Sequence, residues 1–250
     1  MARIGLIADI HANREALEAV LADVPAARVD RLVCLGDIVG YGPDPEACLD
    51  LVEDACDIVV LGNHDEAVLV DEASDALNDR ARVGIAFTRS CLTPWHMRYL
   101  RLLPYRADIE GLAIGHGSFA RDRFDYLYTS VSAGLAFRAM EAPIGAVGHT
   151  HLPSAFTCRR DDAQAPFDIR VFPLVGSVTV KLPEDRSVIV NPGSVGQPRD
   201  RNPHASWGIL DTDVKSFEIR RVPYDIEAVS YKIRNLGLPA MHGERLKRGA

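Results

Sequence analysis

The chain has 250 residues, 28 Lys plus Arg against 35 Asp plus Glu, and a formal charge of -7; 47% of it is hydrophobic and 25% charged. This is the composition of a globular protein rather than a disordered one. No apolar run approaches the roughly 20 residues that span a bilayer, and the acidic balance excludes unspecific coating of nucleic acid, which needs a basic footprint. The same balance sets a condition on any anionic substrate: positive charge must be supplied locally. Residues 1–9 reach an acid too early for a secretory leader and read as the approach to a buried first strand. Cys34, Cys48, Cys56, Cys91 and Cys158 are odd in number, scattered and without a CxxC spacing. They point to reduced thiols in a cytoplasmic protein and away from a thiolate zinc site.

Taken in chain order, residues 3–8, 31–35 and 57–61 are short, apolar and suited to buried parallel strands. Between the first two, Leu17, Val20, Leu21 and Val24 fall at helical spacing, predicting a helix over 14–24 with Asn13 as its N-cap. Asp44-Pro45 opens a second helix. A third is predicted over 78–92, and a fourth starts at Thr93-Pro94. Residues 105–109 and 112–115, joined near Glu110-Gly111, suggest a hairpin leading to His116. A helix over 132–140 precedes a strand at 144–147. After His151 the texture changes to short strands at 154–159, 168–173, 177–182, 187–190, 207–211 and 216–222, separated by Pro, Gly and Asp turns. A last helix over 226–235 stops at Gly237 and Pro239. A single α/β domain over 1–250, parallel βαβ units first and antiparallel strands after, is the simplest account.

The predicted strands share one kind of ending. Asp9-Ile10-His11 closes the first, Gly36-Asp37 the second and Gly62-Asn63-His64-Asp65 the third; Gly115-His116 and Gly148-His149-Thr150-His151 come later. In open α/β sheets the carboxyl ends of strands line the functional crevice, so these side chains are expected to converge there. Taken singly each has an ordinary reading: Asp9 as a helix cap, Asp37 as the start of a loop, Asn63 as a turn residue, His116 as a core or surface histidine. Asp9-x-His11 and His149-x-His151 place alternate side chains on one side of an extended segment, which suits a metal. Five of the eight histidines follow short β-like runs. Chance does not account for the set.

The ordered motifs DxH, GDxx, GNHD, GH and GHTH resemble those of the calcineurin-like metallophosphoesterases. Residues 36–45 and the stretch Asn191-Pro192-Gly193-Ser194-Val195-Gly196-Gln197-Pro198-Arg199 look like a small stand-alone prokaryotic subgroup. The resemblance implies a two-sheet β-sandwich flanked by helices. It implies one metal on Asp9, His11, Asp37 and His151 and a second on Asp37, Asn63, His116 and His149, with Asp37 bridging. Two such metals hold a bridging hydroxide for in-line attack on a phosphate ester. The mixture of imidazole, carboxylate and amide suits Mn, Fe, Zn, Co or Ni over the oxygen cages of calcium and does not choose among the five; Mn is the first expectation.

By the same resemblance His64 faces the substrate and either donates a proton to the leaving oxygen or stabilises its charge. Asp65 either orients His64 or caps the helix that begins there. Arg199, Arg201 and Arg121 are candidates for the phosphate, with solvated loop charge as the alternative for each. Tyr41 either stacks on a nucleobase or covers the core. His96, His204 and His242 match no motif. The second motif lacks the Asp-Arg pair of protein Ser/Thr phosphatases, so small phosphomonoesters or phosphodiesters, nucleotides among them, suit this chain better than phosphoproteins. The rival from another class is a catalytically silent protein-binding scaffold of the same fold, which has no need to retain every ligand and His64.

Overall fold

The computed structural model describes residues 2–109, 111–159 and 168–250. The chain starts with β1 (Arg3–Ile7), α1 (Arg14–Ala27), β2 (Arg31–Cys34), α2 (Pro45–Ala55) and β3 (Ile58–Val59). It continues through four helices, α3 (Asn63–Leu69), α4 (Asp71–Asp75), α5 (Asp79–Cys91) and α6 (Pro94–Leu102). Next come β4 (Arg106–Ile109), β5 (Leu112–Gly115), α7 (Ser130–Ala139) and β6 (Ile144–Ala146). The strands β7 (Ser154–Arg159), β8 (Ile169–Pro173), β9 (Val178–Lys181), β10 (Arg186–Asn191), β11 (Ala205–Asp211) and β12 (Ser216–Val222) follow, and α8 (Ile226–Asn235) and α9 (Ala240–Leu246) close the described fold.

These strands form two six-stranded sheets, ordered β3-β2-β1-β11-β12-β9 and β4-β5-β6-β10-β7-β8. Both are mixed: β1–β2 and β5–β6–β10 pair parallel, whereas β1–β11 and β10–β7 pair antiparallel. The late strands therefore form no separate antiparallel layer but extend the early parallel units. Ile4, Leu6, Val33, Val188 and Val190 meet in the core between the sheets. Ile7, Leu32 and Cys34, one residue out of phase, pack outward against α1 and α2, and Ile189 packs outward against α7. With both faces buried, such strands read as continuous apolar runs rather than alternating ones. The two-sheet sandwich flanked by helices is the fold class expected.

The boundaries follow from local chemistry. Asn13 Oδ1 accepts from Ala16 N (3.1 Å), and Asn78 and Thr93 cap α5 and α6 in the same way. Helix α1 runs three residues past its predicted end, because Pro25 sits in the last turn and Arg28 closes the helix in a left-handed conformation. The strand expected over 57–61 shortens to two residues; Leu61 N turns instead to Pro104 O at 2.8 Å. Gly111 takes a φ of +85° in the β4–β5 turn, whereas Glu110 lies outside the described residues. Helices α4 and α9 were not expected. Cys34 and Cys48 are core thiols, and Cys56, Cys91 and Cys158 are half-buried. Among the described residues, no helix is long and apolar enough to cross a membrane.

Candidate metal centre

The motif residues meet where the strand ends of both sheets come together. Asp9 and His11 follow β1, Asp37 follows β2, Asn63 and His64 open α3, His116 follows β5, and His149 and His151 lie between β6 and β7. All are buried except Asn63, which is half-buried. Strain concentrates here: Asp9, His11, Ala12, Asp37, Tyr41, His149 and His151 all adopt φ between 50° and 68°. Such left-handed backbone costs of the order of 1–3 kcal/mol per non-glycine residue and persists only where its surroundings enforce it. Gly36 (φ +93°) and Gly62 make the crossing of two loops possible. A Cβ on Gly36 would meet Gly62 N at 2.7 Å, and one on Gly62 would strike the backbone and carboxylate of Asp37.

Hydrogen bonds at the back of each ring decide what faces the centre. His11 Nδ1 lies 3.1 Å from Val39 O, His151 Nδ1 2.6 Å from Gln197 O, and His116 Nδ1 2.7 Å from Leu35 O. A carbonyl only accepts, so each Nδ1 carries a proton and Nε2 faces inward, as a lone pair on the neutral rings of His11 and His151 and, on His116, as the atom whose proton a cation would replace. These inward atoms face other acceptors. His11 Nε2 and His151 Nε2 are 3.1 Å apart, and His116 Nε2 lies 3.1 Å from His149 Nδ1 and 3.2 Å from Asn63 Oδ1. Asp37 Oδ2 is 3.3 Å from His116 Nε2 and 3.7 Å from His11 Nε2, so one carboxylate reaches both groups of rings. Asp9 accepts from His149 N with both oxygens, at 3.1 and 3.0 Å. Three sets are tight enough to hold a cation: Asp9–His11–His151, His11–Asp37–His64 and Asp37–His116–His149. Ring nitrogens and carboxylate oxygens converging at these distances fit divalent ions.

The protonation pattern points the same way. Burial, reinforced by Arg199 and neighbouring imidazoles, lowers His11 and His151 well below the usual histidine value and brings His149 to about 3. Asp37 stays ionised: burial pushes its pKa up, but the combined pull of His116, His64 and His11 overrides it. Burial and the Asp37 charge raise Asp9 to about 7. Burial also disfavours the charged form of His116, yet Asp37 and Asp9 carry it to about 9, so its proton is what balances the carboxylates when no cation does.

The family model described as the calcineurin-like phosphoesterase superfamily domain matches residues 2–215. The chain belongs to this superfamily. It is 34% identical to an uncharacterized protein of Methanocaldococcus jannaschii over 98% of both chains. A metallophosphoesterase from Sphaerobacter thermophilus superposes with a TM-score of 0.85 at 38% identity, covering all of each chain. A hypothetical protein of Pyrococcus horikoshii shares the fold, with a TM-score of 0.78 at 20% identity over 100% of this chain and 99% of that one.

In this phosphoesterase, the neighbouring residues sort differently from expectation. Asp65 is not the N-cap residue of α3 but closes its start from within the first turn, and it does not bond the His64 ring. It sits at the third helical position, where Oδ2 accepts from Gly62 N (3.0 Å) and Oδ1 from Ile38 N (2.9 Å) and Val39 N (3.1 Å). It thus clamps the Asp37 loop to the start of α3. His64 Nδ1 is buried without a partner, and burial lowers the ring to about 4. The ring belongs to one of the three cation-competent sets, so geometry does not separate it from the ligands as the resemblance does.

Arg199 is half-buried beside the centre, its charge felt by Asp9, His11, His64, His149 and His151. Arg201 is exposed, and its backbone bonds Gly249 O; Arg121 is also exposed and lines a separate dent with Arg123, Phe124 and Leu135. Tyr41 is buried, with its ring 4.8 Å from that of His11 and 4.5 Å from that of His64, so it covers the site rather than presenting a face for a base.

Supporting residues were missed. Ser194 Oγ donates to Asp9 O (2.7 Å), and Asn191 Nδ2 to Gly148 O (2.6 Å); with Gln197 O behind His151, this loop braces the first and last motifs. Tyr126 stacks on His149 at 3.9 Å and on Tyr128 at 5.3 Å. The Tyr-x-Tyr spacing in the loop after His116 was the available signal. His242, outside every motif, is buried with Nδ1 3.0 Å from Tyr41 O.

Proposed function

We propose that this chain is a dinuclear, manganese-preferring phosphoesterase that hydrolyses a small phosphomonoester or phosphodiester. Asp9, His11, Asp37 and His151 would hold one ion and Asp37, Asn63, His116 and His149 the other. The observation that carries this reading is the inward nitrogens of two groups of imidazoles with Asp37 between them, 3.3 Å from one and 3.7 Å from the other. When bound, the ions supply charge neutralisation for the phosphoryl oxygens and a nucleophile derived from water at neutral pH.

The chain's own side chains do the rest. The carbonyls of Val39, Gln197 and Leu35 hold the Nδ1–H of each ring, which aims its Nε2 at the centre. Arg199, half-buried at the edge of the centre, offers a guanidinium to a phosphoryl oxygen. His64 serves the leaving oxygen: even a neutral imidazole has one N–H to donate, and its Nδ1 has no partner within the protein. A protein-binding scaffold has no use for this arrangement of acceptors, and nothing favours that second reading.

The test is a screen of the chelator-stripped chain, with and without added Mn²⁺, across p-nitrophenyl monoesters and diesters and a panel of nucleotides, scored by kcat/KM. Turnover that requires the metal and disappears in EDTA is expected. A metal-loaded chain inert on every class contradicts the proposal.

A further inference from the structure

Of the four histidines proposed for the two ions, three are steadied from behind by a backbone carbonyl and His149 is not. His11, His116 and His151 each turn Nε2 to the centre and give Nδ1–H to Val39 O, Leu35 O and Gln197 O. His149 is turned the other way, with its Nδ1 facing His116 Nε2 at 3.1 Å. Its Nε2 is then the nitrogen left to be held from behind, and among the described residues no carbonyl, carboxylate or hydroxyl accepts from it. A metal-bound imidazole ordinarily gives its second N–H to such a partner, which fixes the tilt of the ring. Only the backbone of His149 is anchored in this way, through its N–H to the Asp9 carboxylate at 3.0 Å.

An aromatic face stands where the carbonyl is missing. The Tyr126 ring lies 3.9 Å from that of His149 with 21° between their planes, a closer ring contact than His149 makes with His116 at 4.9 Å or with Phe124 at 6.4 Å. The ordinary reading of a loop tyrosine is cover for the core, but Tyr126 is 46% exposed and covers little besides that imidazole. The loop that carries it is also held in place. It leaves β5 at His116, and Gly117 is packed so closely that a Cβ there would meet Arg123 O and the Phe124 Cα at 2.8 Å. Arg123 donates to Glu66 at 2.6 Å, in the first turn of α3, the helix that opens at Asn63. The loop thus starts at His116, is braced to the helix of Asn63 and ends against His149, all three proposed for the same ion. Among the described residues it makes no hydrogen bond or ring contact with His11 or His151.

We propose that Tyr126 is the positioning residue for one ion only, the one assigned to Asp37, Asn63, His116 and His149: its ring face sets the tilt at which His149 Nδ1 meets that ion. This rests on the dinuclear reading and deepens it, because the two ions then differ in what supports them. Stacked rings hold each other's planes while leaving their edges free, so Nε2–H of His149 stays available to water. The ring face does this and the hydroxyl does not, so phenylalanine should serve in its place. Losing the group that orients a metal-bound histidine typically costs about ten- to a hundredfold in metal affinity.

The test is a calorimetric Mn²⁺ titration of the stripped wild type, Tyr126→Ala, Tyr126→Leu and Tyr126→Phe, followed by hydrolysis of a p-nitrophenyl ester at limiting and at excess Mn²⁺. Tyr126→Ala is expected to weaken one site by about tenfold or more and to leave the other unchanged. Its activity should fall at limiting Mn²⁺ and return in excess. Tyr126→Leu keeps apolar bulk without a flat face and should fail in the same way, which carries the test where the alanine variant melts early; Tyr126→Phe should match wild type. Two unchanged sites in Tyr126→Ala or Tyr126→Leu, equal weakening of both sites, activity that excess Mn²⁺ does not restore, or a phenylalanine variant as weak as alanine would each overturn the inference. A wild type that takes up no Mn²⁺ refutes the dinuclear reading and this inference with it. The expected affinities without hydrolysis of any ester refute the phosphoesterase reading alone.

Discussion

Asp37→Ala is expected to abolish hydrolysis and to prevent stable loading of both ions. Asp37 Oδ1 is fixed by the N–H of His64 at 2.8 Å, while Oδ2 is aimed between His116 and His11. Asp9 Oδ1 also comes within 3.6 Å of His151 Nε2 and 3.9 Å of His116 Nε2, but Asp37 Oδ2 lies nearer to His116, at 3.3 Å. Losing Asp37 leaves each ion short of a ligand and removes the negative charge that offsets their mutual repulsion. A loss in kcat/KM on the order of 10³-fold or more is expected, comparable with or beyond removal of one transition-state donor. Asp37→Asn separates charge from shape, since the amide oxygen still accepts from His64 N; it should fail nearly as badly. Wild-type turnover in either variant would exclude the shared-ligand role.

His64→Ala is expected to behave differently: metal content unchanged, kcat lower by about 10²–10⁴ for esters with poor leaving groups. The loss should shrink for p-nitrophenyl esters, whose leaving oxygen needs little protonation. An equal loss across leaving groups would exclude proton donation. The outcome in metal content is equally informative, because His64 forms a cation-competent set with His11 and Asp37. Should the variant lose an ion, His64 belongs among the ligands.

Much of this architecture was legible from the sequence because its signals are local. Asn13, Asn78 and Thr93 stand as N-caps where short polar side chains precede helical spacing. The strand-end motifs converge because strand ends must. What was not legible is non-local. Gly5 pairs with Ile209 across most of the chain, so the assignment of late strands to two sheets has no nearby cue. Helix α9 contains Gly243, a poor helix former, and exists because that glycine packs against Ser230 of α8; a Cβ there would lie 3.2 Å from the Ser230 Cα. Asp65 was ambiguous because a carboxylate beside a histidine at a helix start can orient the ring or cap the helix; that it caps α3 and also takes Ile38 N and Val39 N depends on how the Asp37 loop packs.

The convergence of ring nitrogens and carboxylates around Asp37 is the central claim, and counting metals tests it most directly. Purified chain, stripped, reloaded with Mn²⁺ and desalted, should retain about two ions, and crystals of it should show two anomalous peaks about 3.5–4 Å apart flanking the Asp37 carboxylate. A chain that refuses Mn²⁺, or holds a single ion away from Asp37, would contradict it.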